Sequence, residues 1–273
     1  MRKTLGFLPE IEFFIKIAVI CTLLQQLFYL FLKDIKIPFE FQVLMYYMVG
    51  SISFYGIGFL IEKCLKKNEI WRDKLNIRVV KVKGQDFPNF TLKGIALGEL
   101  KSLIAAFIIL SLFIILSLAP EVHRGNSLSL NFVWFLMRIV VADFCFYISH
   151  YILHKYFLKI HLKHHEFRDS SSFVASHKSL SEYIITTITD LLPVFIFGCD
   201  LSQICAWTIV GNFYNLEGHS SLSIFFVSSD FHDRHHTCFK GNYGIQGFWD
   251  RIFGTLANNT RKQGILFPTN YLH

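Results

Sequence analysis

Nine histidines in the second half of the chain fall into tight groups whose spacing is suited to metal binding. They are His150 and His154, then His161, His164 and His165, then His219, and finally His232, His235 and His236. On a helix, residues three and four apart share one face and lie about 5–6 Å apart. Each group is therefore predicted to point its imidazoles in one direction, and the nine rings together offer enough nitrogens for two metal ions.

A metal explains this crowding better than ordinary packing does. Nine chargeable rings at one place would repel one another when protonated, and would need a partner at every nitrogen when neutral. Imidazole suits zinc, iron, copper and nickel, whereas the lack of clustered thiolates or carboxylates argues against iron–sulfur clusters, calcium and magnesium. The spacing thus predicts a two-metal site and leaves the metal open. His123, His177 and His273 fall outside the groups, although His177 lies within their sequence range and is a candidate to fill a coordination gap.

A membrane is the predicted surrounding of this cluster. Of the 273 residues, 52% are hydrophobic and 30 are Phe. A helix needs about 20 apolar residues to cross the roughly 30 Å of hydrocarbon in a bilayer. Four segments meet this requirement, at 11–32, 41–61, 102–119 and 132–153. The predicted fold class is an all-α polytopic membrane protein with about four transmembrane helices.

The distribution of the net charge of +7 predicts which side the histidines face. Lys and Arg outnumber Asp and Glu in the loop at 62–94, whereas the loops at 33–40 and 120–131 are nearly balanced. A basic excess marks cytosolic loops, and a basic loop between two apolar spans is not typical of nucleic-acid binding. By parity, the fourth span then ends on the cytosolic side with His150 and His154.

A helical hairpin that dips into the membrane would keep the later histidines on that same side. Its predicted arms are at about 182–197 and 201–217, with the turn at 198–200. The resulting architecture is four spans plus this hairpin, with a cytosolic histidine-rich helical cap that holds the two-metal site. The predicted divisions are an N-terminal membrane region at 1–130, a catalytic domain at 131–260 and a C-terminal tail at 261–273.

The order and spacing of several residues resemble the fatty acid hydroxylase and sterol desaturase superfamily of membrane oxidoreductases. Beside the histidine groups, the matching pieces are the Asp-Phe-Cys-Phe-Tyr at 143–147, the Glu-x-His-Ser at 217–220, the Asn-Tyr-Gly at 242–244 and the Trp-Asp-Arg-Ile-Phe-Gly-Thr at 249–255. The pieces at 217–220 and 170–173 look most like the cholesterol 25-hydroxylase and C-4 methylsterol oxidase branches. Asn215 stands where some members of the superfamily have a further histidine.

The resemblance implies a non-haem di-iron centre, with two iron ions held by the nine histidines, that activates O₂. Zinc is also expected to occupy such a site in purified protein, because imidazoles accept it readily. The implied electron source is a chain such as cytochrome b5 and its NAD(P)H reductase. The implied substrate is a sterol or fatty-acyl lipid that is hydroxylated, desaturated or demethylated, and the implied location is the endoplasmic reticulum membrane.

Asp143 is predicted to assist catalysis indirectly. It lies seven residues before His150, two helical turns back on the same face, where a carboxylate can orient a ligand ring. Helix packing is the alternative role for Asp143. The Asn-Tyr-Gly at 242–244 is predicted to form a turn that supports the site, since glycine permits backbone angles that other residues resist.

Metal transport and zinc-dependent hydrolysis are two alternative functions for a membrane protein with clustered histidines. A metal transporter would bind its ion near the middle of the bilayer, but the two H-x-x-H-H groups lie in polar sequence outside the apolar runs. A zinc-binding membrane hydrolase would normally carry a general-base Glu beside its ligands in a motif such as H-E-x-x-H, and the sequence has no H-E-x-x-H motif. Lipid oxidation is therefore favoured.

Overall fold

The computed structural model describes residues 8–33, 39–70, 92–115, 127–166, 171–197, 200–226 and 229–257. These residues are mostly helical, and no strand occurs among them. The helices are α1 (Leu8–Leu32), α2 (Phe39–Phe59), α3 (Leu92–Ile115), α4 (Leu128–Tyr156), α5 (Leu158–His161), α6 (Leu180–Phe197), α7 (Leu201–His219), α8 (Ser229–Cys238) and α9 (Phe248–Phe253). Helix α2 continues into a π-helical turn at Leu60–Leu65, and short 3₁₀ turns occupy His164–Glu166 and Ser172–Ser176.

Three stretches of the described helices are long and apolar enough to cross a membrane, namely Leu8–Leu32, Leu44–Leu65 and Leu128–Tyr156. Helix α1 shows the two faces expected of such a segment: Ile15 and Val19 are exposed, whereas Phe13 and Ile17 are buried. The prediction of a helical fold is therefore confirmed, and three of the described helices are candidate membrane spans. The exact number of crossings and the cytosolic position of the cap stay predictions, because residues 71–91 and 116–126 lie outside the described part.

The six long helices form a closed ring of neighbours. Helix α1 packs against α4 and α7, α7 against α2, α4 against α6, α6 against α3, and α3 against α2. The main hydrophobic core lies where α1, α4 and α7 meet, and it includes Phe13, Ile17, Phe135, Ile139 and Trp207. Lipid is as apolar as these side chains, so close packing and interhelical hydrogen bonds hold such helices together in a membrane.

The two arms of the predicted membrane-dipping hairpin are present as α6 and α7, and the hairpin topology stays a prediction because residues 198–199 of its turn lie outside the described part. Helix α6 packs mainly on α3 and α4, and α7 packs mainly on α1 and α2. Helix α7 begins with a capping box, in which the Asp200 carboxylate accepts a 2.8 Å hydrogen bond from the Gln203 backbone N–H. The apolar faces of the two arms are thus covered by other helices, which leaves the arms as separate members of the ring.

A chain of buried polar side chains ties α1, α4 and α7 together at the end of the ring remote from the histidines. Asn131 donates to Gln25 at 2.8 Å and accepts from Gln203 at 2.8 Å. Arg138 donates to the Gln203 side-chain oxygen at 3.2 Å. Such bonds between apolar helices set how the helices slide and rotate against one another. The chain therefore sets the register of α4 and α7, whose opposite ends carry His150 and His219.

Candidate metal centre

The structure brings the nine histidines of the predicted site together. They come from the C-terminal end of α4, from α5 and the 3₁₀ turn after it, from the last residue of α7, and from α8. All of them are buried except His154, which is partly exposed. The rings divide into two sets, within each of which the ligand nitrogens lie within 4.8 Å of one another. The first set is His150, His154, His161, His165 and His235; the second set is His164, His219, His232 and His236.

The prediction that each H-x-x-H-H motif points in one direction is wrong. His161 and His165 belong to the first set, whereas His164 belongs to the second. The C-terminal motif divides in the same way, with His235 in the first set and its neighbour His236 in the second. Adjacent residues on a helix are rotated by about 100°, so two consecutive histidines cannot converge on one atom. Each motif therefore contributes to both sets.

In the first set the Nε2 atoms lie at distances typical of nitrogens around one metal ion. His161 is 3.0 Å from His150 and 2.9 Å from His165, and His235 is 3.0 Å from His154 and 3.1 Å from His165. Imidazole nitrogens bind metals of this class at about 2.0–2.1 Å. Two such nitrogens at a right angle about the metal are about 3.0 Å apart, which matches the observed separations.

The second set has the same spacing. The His219 Nε2 atom lies 3.2 Å from that of His164 and 2.9 Å from that of His232, which is 3.0 Å from that of His236. The Nδ1 atom of His219 donates to the backbone carbonyl of Asn215 at 2.8 Å. Asn215 thus orients the His219 ring through its backbone carbonyl.

Hydrogen bonds on the far side of the rings leave the converging nitrogens unprotonated. His150 Nδ1 is 2.7 Å from the Tyr243 carbonyl oxygen, and His235 Nδ1 is 2.9 Å from that of Gly241. A carbonyl only accepts, so each Nδ1 carries the proton and each Nε2 presents a lone pair. Lone pairs that face one another at 3 Å repel unless a cation lies between them. The donor set therefore fits a metal ion.

Glu182 is a functional residue that the sequence analysis missed. Its carboxylate accepts a 2.9 Å hydrogen bond from His161 Nδ1, and both side chains are almost fully buried. A carboxylate in this position fixes the ring orientation and strengthens the nitrogen as a ligand. The signal available in the sequence was an acidic residue at the very start of the apolar arm, where a charge calls for a specific partner.

A loop between α8 and α9 supplies the two carbonyls, and buried carboxylates hold it in place. Asp250 accepts from the backbone N–H groups of Tyr243 at 2.8 Å and Gly244 at 2.7 Å. Asp143 accepts from the backbone N–H of Ile245 at 2.9 Å. Asp143, predicted to orient a ligand ring, thus contacts the loop whose Tyr243 carbonyl holds His150.

Two of the three glycines of this loop, Gly241 and Gly244, serve different purposes. Gly241 has φ of +74°, in the left-handed region, and a Cβ there would collide with the Thr255 carbonyl. The predicted supporting turn does contain Gly244, but this residue is needed for space instead of for an unusual backbone angle. A Cβ at Gly244 would lie 3.0 Å from the Asp250 carboxylate. Asn242, which follows Gly241, also adopts a positive φ, of 57°.

Burial keeps the rings in the neutral form that binds metal. Desolvation, with a smaller contribution from the charges of neighbouring histidines, lowers the pKa of His161 to about 2. The same causes hold the pKa of His164 and of His235 well below the usual value. Neutral imidazole is the ligand form, so metal binding here does not have to displace a proton at pH 7.

The remaining histidines stand apart from the two sets or outside the described residues. His177 Nε2 lies 2.8 Å from the Glu166 carboxylate, in a partly exposed pair, and His177 belongs to neither set. The positions of His123 and His273 lie in segments that the structure does not describe.

Next to the second set lies a cavity of about 890 Å³, a volume that includes its open mouth. His219 and His232 form part of its wall, and the apolar side chains of Phe146 and Trp207 form another part. The cavity therefore opens onto the second histidine set.

Comparison with known proteins identifies the segment that carries these residues. Residues 135–255 match the fatty acid hydroxylase family. The chain is 30% identical to fatty acid hydroxylase domain-containing protein 2 of Homo sapiens over 136 residues, which are 46% of this chain and 40% of the relative. It is 31% identical to a putative methylsterol monooxygenase of Dictyostelium discoideum over 128 residues, 42% of this chain and 48% of the relative.

A third relative, methylsterol monooxygenase 1 of Gallus gallus, is 30% identical over 128 residues, 42% of this chain and 43% of the relative. The chain thus spans less than half the length of each of these curated relatives. No solved structure matches the chain. The histidine geometry and the match at 135–255 cover the same residues, so the segment that carries the two histidine sets is similar to the fatty acid hydroxylase family.

Proposed function

We propose that this protein is a membrane di-iron oxidoreductase that uses O₂ and external electrons to hydroxylate, desaturate or demethylate a sterol or fatty-acyl lipid. The observation that carries the proposal is the pair of adjoining imidazole sets, with lone pairs that converge at metal-binding distances and with His219 and His232 of the second set in the wall of a cavity. Similarity to methylsterol monooxygenases and to a fatty acid hydroxylase domain protein supports a lipid as the substrate.

The nine histidines would hold one ion per set, the first with five nitrogens available and the second with four. Bound iron would supply the redox chemistry that activates O₂ toward an unactivated C–H bond, which redox-inert zinc cannot supply. The protein itself orients the rings through the Glu182 carboxylate and the Tyr243 and Gly241 carbonyls. Burial excludes bulk water, which protects reactive species from side reactions.

The arrangement of the helices favours this function over metal transport. His150 and His154 lie in the last two turns of α4, and His219 is the final residue of α7. A transport site usually lies near the middle of the bilayer between broken helices. Ligands at helix ends, closed off by the short helices α5 and α8, are suited to a cap that holds its metals permanently.

The proposal extends to the setting of the reaction. We place the cap on the cytosolic side of the endoplasmic reticulum membrane, where an electron chain such as cytochrome b5 and its NAD(P)H reductase can reach it. Residues 131–260 form the proposed catalytic domain, and residues 1–130 form the membrane region that completes the ring of helices. Both parts are needed, since α1 and α2 pack directly on α7.

Oxygen-18 incorporation tests the function. Iron-loaded full-length protein in lipid nanodiscs, supplied with a reductase and NAD(P)H, is expected to introduce label from oxygen-18 gas into a sterol or fatty-acyl lipid, or to form a new double bond only when O₂ is present. His235→Ala should abolish the reaction, because His235 belongs to the first set. The matched control His177→Ala lies outside both sets and should keep most of the activity.

A zinc-loaded sample provides the second control, and it should be inactive although its metal sites are filled. If iron-loaded protein modifies neither lipid class while it moves metal ions across sealed vesicles, the transporter function is correct instead. If the zinc-loaded protein hydrolyses a lipid without O₂, the hydrolase function is correct.

A further inference from the structure

We propose that Asp190 and Asn215 bind a hydroxyl group of the lipid, and that oxidation takes place within a few bonds of that hydroxyl. The inference rests on the proposed function, because it names the class of lipid that the same site accepts. Asp190 and Asn215 both line the cavity beside the second histidine set, and their side chains make no hydrogen bond to the described residues.

Asp190 and Asn215 belong to the walls of two adjoining cavities. The first reaches His219 and His232, and the second extends between α2, α3 and α6 as far as Glu99. Asp190 projects from α6 and Asn215 from α7, the two arms that pack on different helices. The gap between the arms is therefore the space in which these two side chains meet a ligand.

Most polar side chains in these walls are already engaged within the described part of the chain. The Thr186 hydroxyl donates to the Glu182 carbonyl, and the Asn212 amide donates to Ser53 Oγ at 2.7 Å. The second carboxylate of the cavities, on Glu99, accepts from Tyr47 at 2.7 Å and from Ser51 at 2.8 Å. These groups have no need of a ligand.

Asp190 differs from them, since its carboxylate is exposed in the cavity wall and makes no hydrogen bond to any residue that the structure describes, with the charge of Lys178 as its electrostatic partner. The Asn215 side-chain amide likewise makes none among these residues, although its backbone carbonyl holds His219. An ionisable group among membrane helices is costly to keep and usually serves a function. Two such groups in one cavity wall, one an acceptor and the other both donor and acceptor, indicate a bound polar partner.

A neutral hydroxyl is the group that fits this pair. It can donate to the Asp190 carboxylate and accept from the Asn215 amide at the same time. A cationic head group is disfavoured because Lys178 lines both cavities, and an anionic one is disfavoured by Asp190 itself. The remaining walls near the histidines, including Ala142, Phe146 and Trp207, suit the hydrocarbon part of the lipid.

The position of Asn215 determines where the lipid is oxidised. Asn215 precedes His219 by four residues on α7, which is about one helical turn or 6 Å along the axis. A carbon chain with bonds of about 1.5 Å covers that distance in roughly four to five bonds. A hydroxyl held by Asn215 therefore brings nearby carbons to the second set, whereas the far end of a long tail lies elsewhere.

The test measures binding to zinc-loaded full-length protein in nanodiscs, which does not depend on turnover. The probes are a radiolabelled hydroxysterol and its methyl ether, and a long-chain alcohol and its methyl ether. We expect the wild-type protein to prefer at least one alcohol over its ether by about tenfold or more, since a hydrogen bond to an ionised group is worth about that factor. Preference for the sterol pair or for the long-chain pair identifies the lipid class.

Substitutions then assign the preference to the two side chains. Asp190→Val should remove the preference, and Asp190→Asn, which keeps the shape, should reduce it at least threefold. Asn215→Leu should weaken it while leaving the zinc content at the wild-type value, because the backbone carbonyl on His219 is retained. Ile188→Val is the matched control on the same helix, since Ile188 is 42% exposed and lies outside both cavity walls.

Equal binding of alcohol and ether by the wild type, or binding of neither, would overturn the proposal. So would an Asp190→Val protein that contains its zinc and keeps the full preference. A protein that shows the preference but never oxidises a lipid would disprove the proposed function and leave the hydroxyl site standing.

Discussion

Replacement of Glu182 should weaken one metal site and spare the other. Glu182 accepts from His161 Nδ1 at 2.9 Å in a pair that is almost fully buried, and His161 belongs to the first set alone. A buried donor left without its partner costs about 1–3 kcal/mol, which corresponds to roughly 5- to 150-fold in an equilibrium constant. Glu182→Leu removes the acceptor and leaves a buried N–H without a partner, so affinity at the first set should fall by about that factor.

The assay is a zinc titration of metal-free full-length protein in competition with a chromophoric chelator, which resolves two binding steps. Glu182→Gln keeps an acceptor oxygen and should lose less affinity than Glu182→Leu. The matched control is Glu166→Gln, because Glu166 bonds His177 in a partly exposed pair outside both sets. If Glu182→Leu binds zinc at both steps with the wild-type affinities, Glu182 has no role in metal binding. If its zinc affinity falls equally at both steps, the division of the histidines into two sets is wrong.

Three further outcomes follow from the loop and the topology. Gly241→Ala should lower stability by about 1–3 kcal/mol, seen as a lower Tm of the zinc-loaded protein, because it strains a positive φ and collides with the Thr255 carbonyl. Asp250→Ala should cost about 2–4 kcal/mol and loosen metal binding, since it releases two backbone N–H groups and one hydroxyl; unchanged Tm and affinity would contradict this. Single cysteines placed at 62–94 and at 229–257 should react with the same impermeant reagent from the cytosolic side, and opposite accessibility would disprove the proposed orientation.

Local patterns in the sequence were enough to predict the helices and the membership of the histidine cluster. The apolar runs of α1, α2 and α4 are continuous, so their helical structure follows from the need to satisfy backbone groups in an apolar medium. The histidines are dense enough in sequence that short segments already confine them to one region. The resemblance to the superfamily rested on the same short-range spacing, and the match at 135–255 agrees with it.

Contacts between distant segments decided how the cluster is divided and supported. Helix rotation sends His235 and His236 to different sets, but which set each joins depends on where α4 and α7 end in space. The partners of the rings come from residues far along the chain, such as Glu182 for His161 and Tyr243 for His150. No local pattern encodes such pairs.

The cavity was likewise a product of the tertiary structure. The sequence determined two helical arms with a break between them, and a hairpin was the simplest arrangement of such arms. In the structure α6 and α7 pack mainly on different helices, and Asp190 and Asn215 line the cavity between them. Sequence periodicity determines which face of a helix is apolar, whereas the choice of the helix that covers that face depends on the packing of the whole ring.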